Sequence, residues 1–381
     1  MVDARHWLAL ARAPGGRATL GALLDELGSP AALFAADTST LIAAGLDSES
    51  AARFAAPDWA KVDTDLAWLE HTGCTLIVRG SADYPPLLAL APDPPLVLFV
   101  RGHPEVLTLP TLAIVGSRNP TAPGRRDAEA FAATLGSAGF AIVSGLALGI
   151  DAAAHHGALG AGAVTIAVCA TGLDRVYPSG NRALATRILE RGALVSEFAP
   201  GTRPLRHHFP LRNRIIAGLS LGTLVVEAAA QSGSLITARL AGDAGRSVFA
   251  LPGSIHNPLA KGCHRLIRDG ASLVENAADI VAELGNIAGI TVAAGVAQAT
   301  SGAAPAARRD VEDDGEHARV FAEVDWAPTA IDHIVERSGL PMAVVSSTLL
   351  MLELQGRVAA QAGGRYVRLN SNRNDPGEEQ R

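Results

Sequence analysis

Apolar positions fall in short unbroken runs through the middle of the chain and in helical spacing on either side of it. Six runs lie between residues 111 and 285: Leu112–Val115, Ala141–Ser144, Val164–Cys169, Leu194–Ser196, Thr223–Val226 and Ser247–Leu251. Continuous apolar runs of strand length, separated by stretches of helical periodicity, predict βαβ units and a parallel sheet covered on both faces. The predicted fold class is α/β, a Rossmann-like doubly wound parallel sheet. Residues 1–72 read as a small helical domain, with apolar positions at Leu20, Leu23, Leu24 and Leu27, then at Leu33, Phe34, Leu41 and Ile42. Pro14-Gly15-Gly16 and Gly28-Ser29-Pro30 punctuate it. The stretch 80–104 is proline-rich and predicts an extended segment wrapped onto the central domain, which is taken to span 80–285. Residues 286–315 are Ala/Gly-rich, then charged, and predict a flexible linker. Helical patterns near 316–325, 328–337 and 341–355, followed by two short strands around Gly363-Gly364, predict a winged-helix domain over 316–370. The polar residues 371–381 predict a disordered tail.

With 381 residues, 48% of them hydrophobic, the chain can bury a sizeable core. Its net charge is −6, so any anionic partner must meet a local basic patch rather than a polycation. Lys61 and Lys261 are the only lysines, and arginine carries nearly all the positive charge. Either forked phosphate contacts or a GC-rich genome accounts for that bias. Cys74, Cys169 and Cys263 are scattered, without the spacing of a disulfide framework or a zinc site, and no metal or cofactor is expected. No apolar stretch approaches the roughly 20 residues of a membrane span. The amino-terminal residues lead into an amphipathic pattern rather than a leader, and a cytoplasmic location without membrane attachment is expected.

Ligands of open α/β sheets bind beyond the carboxyl ends of the strands. Nearly every predicted strand here ends in small or polar residues. After the first comes Gly116-Ser117-Arg118, where glycine permits close approach and arginine offers a planar fork for an oxyanion. The turn is neither a P-loop nor a dinucleotide fingerprint. Ser144-Gly145 ends the next strand and leads to Asp151 and His155, one helical turn apart, which either pair with each other or serve as a cap and a core residue. Phe209-Pro210-Leu211-Arg212-Asn213-Arg214 predicts a helix starting at Pro210, its free amides beside two arginines and an asparagine. Arg203, Arg206, His207 and His208 precede it, and no acid occurs from Phe198 through Val226. Arg212 and Arg214 point to different faces at this spacing, so one can bind phosphate while the other braces the fold. Phe209 is placed either to stack on a base or to plug the core. Finally, Ser232-Gly233-Ser234, followed by Thr237, predicts a capping nest after Glu227, which orients a ligand or anchors a loop.

These segments, in this order, resemble the DNA-processing protein A (DprA/Smf) family: Ile114–Arg118, Ser144–Asp151 with His155, Gly172-Leu173-Asp174 with Tyr177-Pro178, Phe209–Ile216, Glu227 through Thr237, and Pro252-Gly253. The likeness runs from about Tyr84 to Ala271. The flanking modules, helical (SAM or helix-hairpin-helix-like) and winged-helix, also fit that family. The resemblance implies a homodimeric, non-enzymatic protein that binds single-stranded DNA, protects it and loads RecA recombinase in natural transformation. It implies strand binding at Gly116, Ser117, Arg118, Ser144, Gly145, Phe209, Arg212, Asn213, Arg214, Gly233, Ser234 and Thr237. The segment Pro341–Gln355 carries no Lys or Arg, so the winged helix is not expected to read bases, and any duplex contact would come from Arg357, Arg365 and Arg368. The alternative reading is a nucleotide-processing Rossmann enzyme of phosphoribohydrolase type, with Asp151, Glu197 and Glu227 as its candidate acids. A dehydrogenase has little support, since no G-x-G-x-x-G follows the first strand.

Overall fold

The computed structural model describes residues 3–14, 16–288 and 315–369. The amino-terminal module consists of α1 (Ala4–Arg12), α2 (Arg17–Leu27), α3 (Pro30–Ala35), α4 (Thr38–Ala43), α5 (Ser48–Ala55) and α6 (Trp59–Thr72). Side-chain caps set where these short helices begin. Ser29 accepts from the Ala32 amide, Asp37 from Thr40, Asp47 from Ser50 and Asp58 from Lys61, at 2.7–3.2 Å. Gly28 and Gly73 end α2 and α6 in the left-handed conformation.

The central domain holds a nine-stranded sheet in the order β1-β2-β6-β5-β4-β3-β7-β8-β9. Its strands are β1 (Thr75–Val78), β2 (Val97–Gly102), β3 (Thr111–Val115), β4 (Ala141–Ser144), β5 (Thr165–Val168), β6 (Ala193–Ser196), β7 (Gly222–Val225), β8 (Ser247–Ala250) and β9 (Ser272–Leu273). Strands β3 to β9 pair in parallel, and β1 and β2 are antiparallel. All six runs expected to be strands form β3 to β8. The stretch 80–104 departs from expectation. Instead of only wrapping the domain, it contributes β2, whose Phe99 pairs with Ser196 and whose Leu98, Phe99 and Val100 are buried.

One face of the sheet is covered by α7 (Pro86–Ala89), α11 (His208–Leu219), α12 (Ser234–Asp243) and α13 (Lys261–Arg268), packed on Ala113, Val115, Val143, Ile166 and Val195. On the other face, α8 (Ala122–Ser137), α9 (Ile150–Gly160) and α14 (Ala277–Ala288) pack on Leu112, Ile114, Ile142 and Leu224. Beyond them, α10 (Arg182–Ile188) and the amino-terminal helices share one core with Phe99, Ala167 and Leu194. The helical module is therefore a layer of the sheet's own core. Arg12 ties it down by pairing with buried Asp65 and donating to the Pro200 carbonyl at 2.6 Å.

The chain runs outward from β3 through β4, β5 and β6, then returns to β7 on the other side of β3. That reversal is the topological switch point, where the loops after β3 and β7 diverge and leave a crevice.

The winged helix is built from α15 (Glu316–Glu323), β10 (Thr329–Ala330), α16 (Ile331–Ser338), α17 (Met342–Leu354), β11 (Val358–Gln361) and β12 (Arg365–Arg368) around Val320, Ile334, Val345, Leu349 and Leu352. Of the arginines considered for duplex contact, Arg357 and Arg368 lie over the Phe321 ring at 4.0 and 4.3 Å, bracing the hairpin, and Arg365 is exposed. The expected tail, and the expected linker beyond Ala288, lie outside the described residues.

Candidate functional site

At the switch point, a cavity of about 200 Å³ opens between the ends of β3 and β4 and the first turns of α11 and α12. Gly116 and Arg118 form one wall, Phe209, Arg212 and Asn213 the second, and Ser232, Gly233, Ser234 and Thr237 the third. Among the described residues no side chain caps the amino terminus of α11, and at α12 Ser232 Oγ accepts the Ser234 amide at 3.3 Å. Both helices turn the positive ends of their dipoles toward this space, which favours an anion.

Arg212 lies at the floor. The residue is only 4% exposed, and its guanidinium stands 3.9 Å from Asp151 Oδ2. Its Nε has no hydrogen-bond partner among the described residues. Gly145 makes this placement possible, because a Cβ there would overlap the guanidinium. Asp151 accepts the Gly145 and Ala147 amides at 3.1 and 3.3 Å, which fixes the β4–α9 loop. Burial pushes the Asp151 carboxyl above its ordinary range, opposed by Arg212 and by those two amides. Gly149, at φ +81°, completes the loop where a Cβ would overlap the Ser117 carbonyl.

Arg118 forms the rim. It is exposed, with its guanidinium carbon 5.1 Å from the centre of the Phe209 ring. Phe209 is therefore a half-buried ring at the mouth, with a cation on one face.

The cavity gathers Gly116, Arg118, Phe209, Arg212, Asn213, Gly233, Ser234 and Thr237 from the residues expected at the site. Ser117 adjoins it and accepts the Asn119 amide at 3.1 Å. Ser144 is buried and donates to the Ile114 carbonyl at 2.7 Å, bracing the sheet rather than facing the cavity. Gly145 lies beneath Arg212. Arg214 is directed away, pairing with Glu197 and standing 3.2 Å from Asp93. Arg212 thus lines the cavity and Arg214 braces the fold. The helix begins at His208 rather than Pro210. Asp151 and Ser232 line the cavity although they were not assigned to it. Ser232 was visible beside Ser234, and their hydroxyls bond at 2.6 Å. Asp151 was visible only as a residue with two readings.

Asp151 and His155 do not pair. His155 Nδ1 bonds Thr165 Oγ1 at 2.6 Å, and Thr165 donates to the Ile142 carbonyl at 2.8 Å. His155 therefore carries its proton on Nδ1, and its Nε2 has no partner among the described residues. Burial drives its pKa from 6.5 down to about 3. A histidine whose folded pKa is depressed refuses a proton that the unfolded chain accepts. Stability should therefore fall as pH drops through that window, by up to about 1.4 kcal/mol per pH unit. His155→Gln is expected to flatten the decline of the urea midpoint between about pH 6.5 and 4.5, and an unchanged decline would remove His155 as its source.

Glu227 anchors a loop. It accepts the Thr121 amide and hydroxyl at 2.8 and 2.7 Å and lies 3.4 Å from Asn257 Nδ2. Among the described residues no helix is long and apolar enough to cross a membrane.

Fold and site define a Rossmann-like protein with an arginine-lined pocket at its switch point and a carboxy-terminal winged helix. Residues 75–285 match the model of the DNA recombination-mediator protein A family, and residues 304–364 match the DprA winged helix domain. The chain is 43% identical to Protein Smf of Escherichia coli (strain K12) over 338 residues, 87% of each chain. It is 48% identical to DNA processing protein DprA of Streptococcus pneumoniae over 200 residues, covering 52% of this chain and 71% of that one. The X-ray structure of the pneumococcal DNA processing protein A is similar with a TM-score of 0.59 at 40% identity, over 65% of this chain and 86% of that one. The Helicobacter pylori DNA processing protein A, whose structure is described for a unique mode of binding single-stranded DNA, matches with a TM-score of 0.52 at 29% identity, over 57% of this chain and 98% of that one. The chain belongs to the DNA recombination-mediator protein A (DprA/Smf) family.

Proposed function

We propose that the protein binds single-stranded DNA in the switch-point pocket and acts as a recombination mediator, a cytoplasmic homodimer that protects the strand and loads RecA recombinase on it during natural transformation. The observation that carries this reading is the pairing of an exposed arginine with a half-buried phenylalanine directly above a buried arginine. A phosphate meets guanidinium and amides while the adjoining base meets a ring. That combination suits an unpaired, flexible polynucleotide, whose bases are free to turn toward protein. The Helicobacter relative's described binding mode and the family membership support the same reading. Of the candidate acids of the enzymatic alternative, Asp151 alone lines the cavity. Asp151 and Glu227 hold backbone amides, and Glu197 pairs with Arg214.

Arg118→Ala tests the reading, because an exposed side chain can be removed without disturbing the core. Affinity for strands of every sequence should fall about tenfold or more, as expected for one charge-assisted contact. The slope of log K against log salt should shrink by about 0.7, one phosphate on a single strand, with the thermal midpoint unchanged. Wild-type affinity in this variant would remove Arg118 from the interface.

A further inference from the structure

Tyr177 lies in the loop after β5 and is 49% exposed, a large ring left open to solvent at the mouth of the pocket. Its centroid is 6.0 Å from that of Phe209, with the rings inclined at 60°. The loop carrying it is pinned to the pocket wall, since Asn181 Nδ2 donates to the Leu146 and Ala147 carbonyls at 2.8 and 3.2 Å. Ala147 itself lines the cavity, and the next residue, Leu148, is 52% exposed. Arg118, Phe209 and Tyr177 therefore form a continuous series leading outward from the buried anion site: a guanidinium over one ring, and that ring edge-on to a second. Core packing does not account for the second ring, half of which faces water.

We infer that Tyr177 is a second stacking surface, on which the base next to the one held at Phe209 rests as the strand leaves the pocket. The inference rests on the single-stranded DNA reading and extends it from one nucleotide to two in succession. Stacking uses the π-face common to all bases, so Tyr177 adds affinity without sequence preference. It carries no charge, and its contribution is independent of counterion release.

The experiment compares the full-length wild type, Tyr177→Ala and Tyr177→Phe by anisotropy titration. One probe is a labelled oligothymidylate and the other an abasic deoxyribose-phosphate strand of equal length, at salt low enough for both to bind. Tyr177→Ala is expected to bind oligothymidylate about tenfold more weakly, with the wild-type salt slope, and to match wild type on the abasic strand. Tyr177→Phe should retain wild-type affinity, because the ring and not the hydroxyl is used. Equal binding of oligothymidylate by wild type and Tyr177→Ala overturns the inference and leaves the single-stranded DNA reading standing. Equal loss on both strands, or a lowered thermal midpoint accompanying the loss, shows a structural role and also overturns it. If wild type binds neither strand, the single-stranded DNA reading fails and this inference fails with it.

Discussion

Arg212→Ala is expected to destabilise the fold by roughly 3–5 kcal/mol, the scale of removing one partner from a buried ion pair. A purely phosphate-binding role for Arg212 leads to a different expectation, in which the variant loses only DNA affinity. Burial decides between them. Arg212 and Asp151 are both under 10% exposed, and no second cation pairs with Asp151 within 4 Å among the described residues. Once the guanidinium is gone, the Gly145 and Ala147 amides and the more distant charge of Arg118 are left to offset the desolvation of the Asp151 carboxylate. Its pKa, already raised by burial, must rise further. A carboxyl whose folded pKa lies above its unfolded value favours folding at low pH and loses that contribution as pH rises through the folded value. The destabilisation should accordingly be larger at about pH 8 than at about pH 5. Adding Asp151→Asn to Arg212→Ala should restore a substantial part of the loss, since the uncompensated charge is removed while an amide oxygen still accepts the two N–H groups. Urea midpoints of the three proteins at both pH values provide the measurement. An Arg212→Ala midpoint equal to wild type at each would show that the pair contributes nothing to folding.

What the sequence reveals follows from how local each signal is. Strands β3 to β8 are legible because parallel strands buried on both faces must be unbroken apolar runs. The run Leu96-Val97-Leu98-Phe99-Val100 is just as apolar, yet the prolines from Pro85 to Pro95 make its surroundings read as extended coil. Its pairing to β6 depends on residues nearly one hundred positions away. The two-residue β9 is too short to carry any period. Site residues followed the same rule. Small and polar residues at strand ends reveal where a ligand approaches, so the glycine turn, the Phe209–Asn213 segment and the serine nest were all visible. The division of labour between Arg212 and Arg214 was not, because spacing places them on different faces but does not say which face meets Glu197 and Asp93. Asp151 and Tyr177 acquire their surroundings only when loops after different strands meet, a contact that no periodicity in the chain encodes.

Gly145→Ala offers the sharpest separation of steric from electrostatic control. The position does not require a positive φ, so alanine is compatible with the backbone and slightly restricts the unfolded chain, a gain of about 0.4–1 kcal/mol taken alone. The new methyl group, however, would occupy the place of the Arg212 guanidinium. Relief comes by displacing that side chain from its place beside Asp151 into the cavity, where it competes with a bound phosphate for the same space. Overpacking costs about 1–3 kcal/mol, to which the strained ion pair adds. DNA affinity should fall by about two orders of magnitude, since the blocked pocket loses both a charge-assisted contact and its neighbouring amides. The decisive comparison is the double variant. In the Arg212→Ala background the obstructing group is absent, and Gly145→Ala should produce almost no further loss of stability or affinity. Additive effects of the two substitutions in thermal denaturation and in strand binding would mean that the guanidinium does not rest over residue 145, and the pocket floor described here would be wrong.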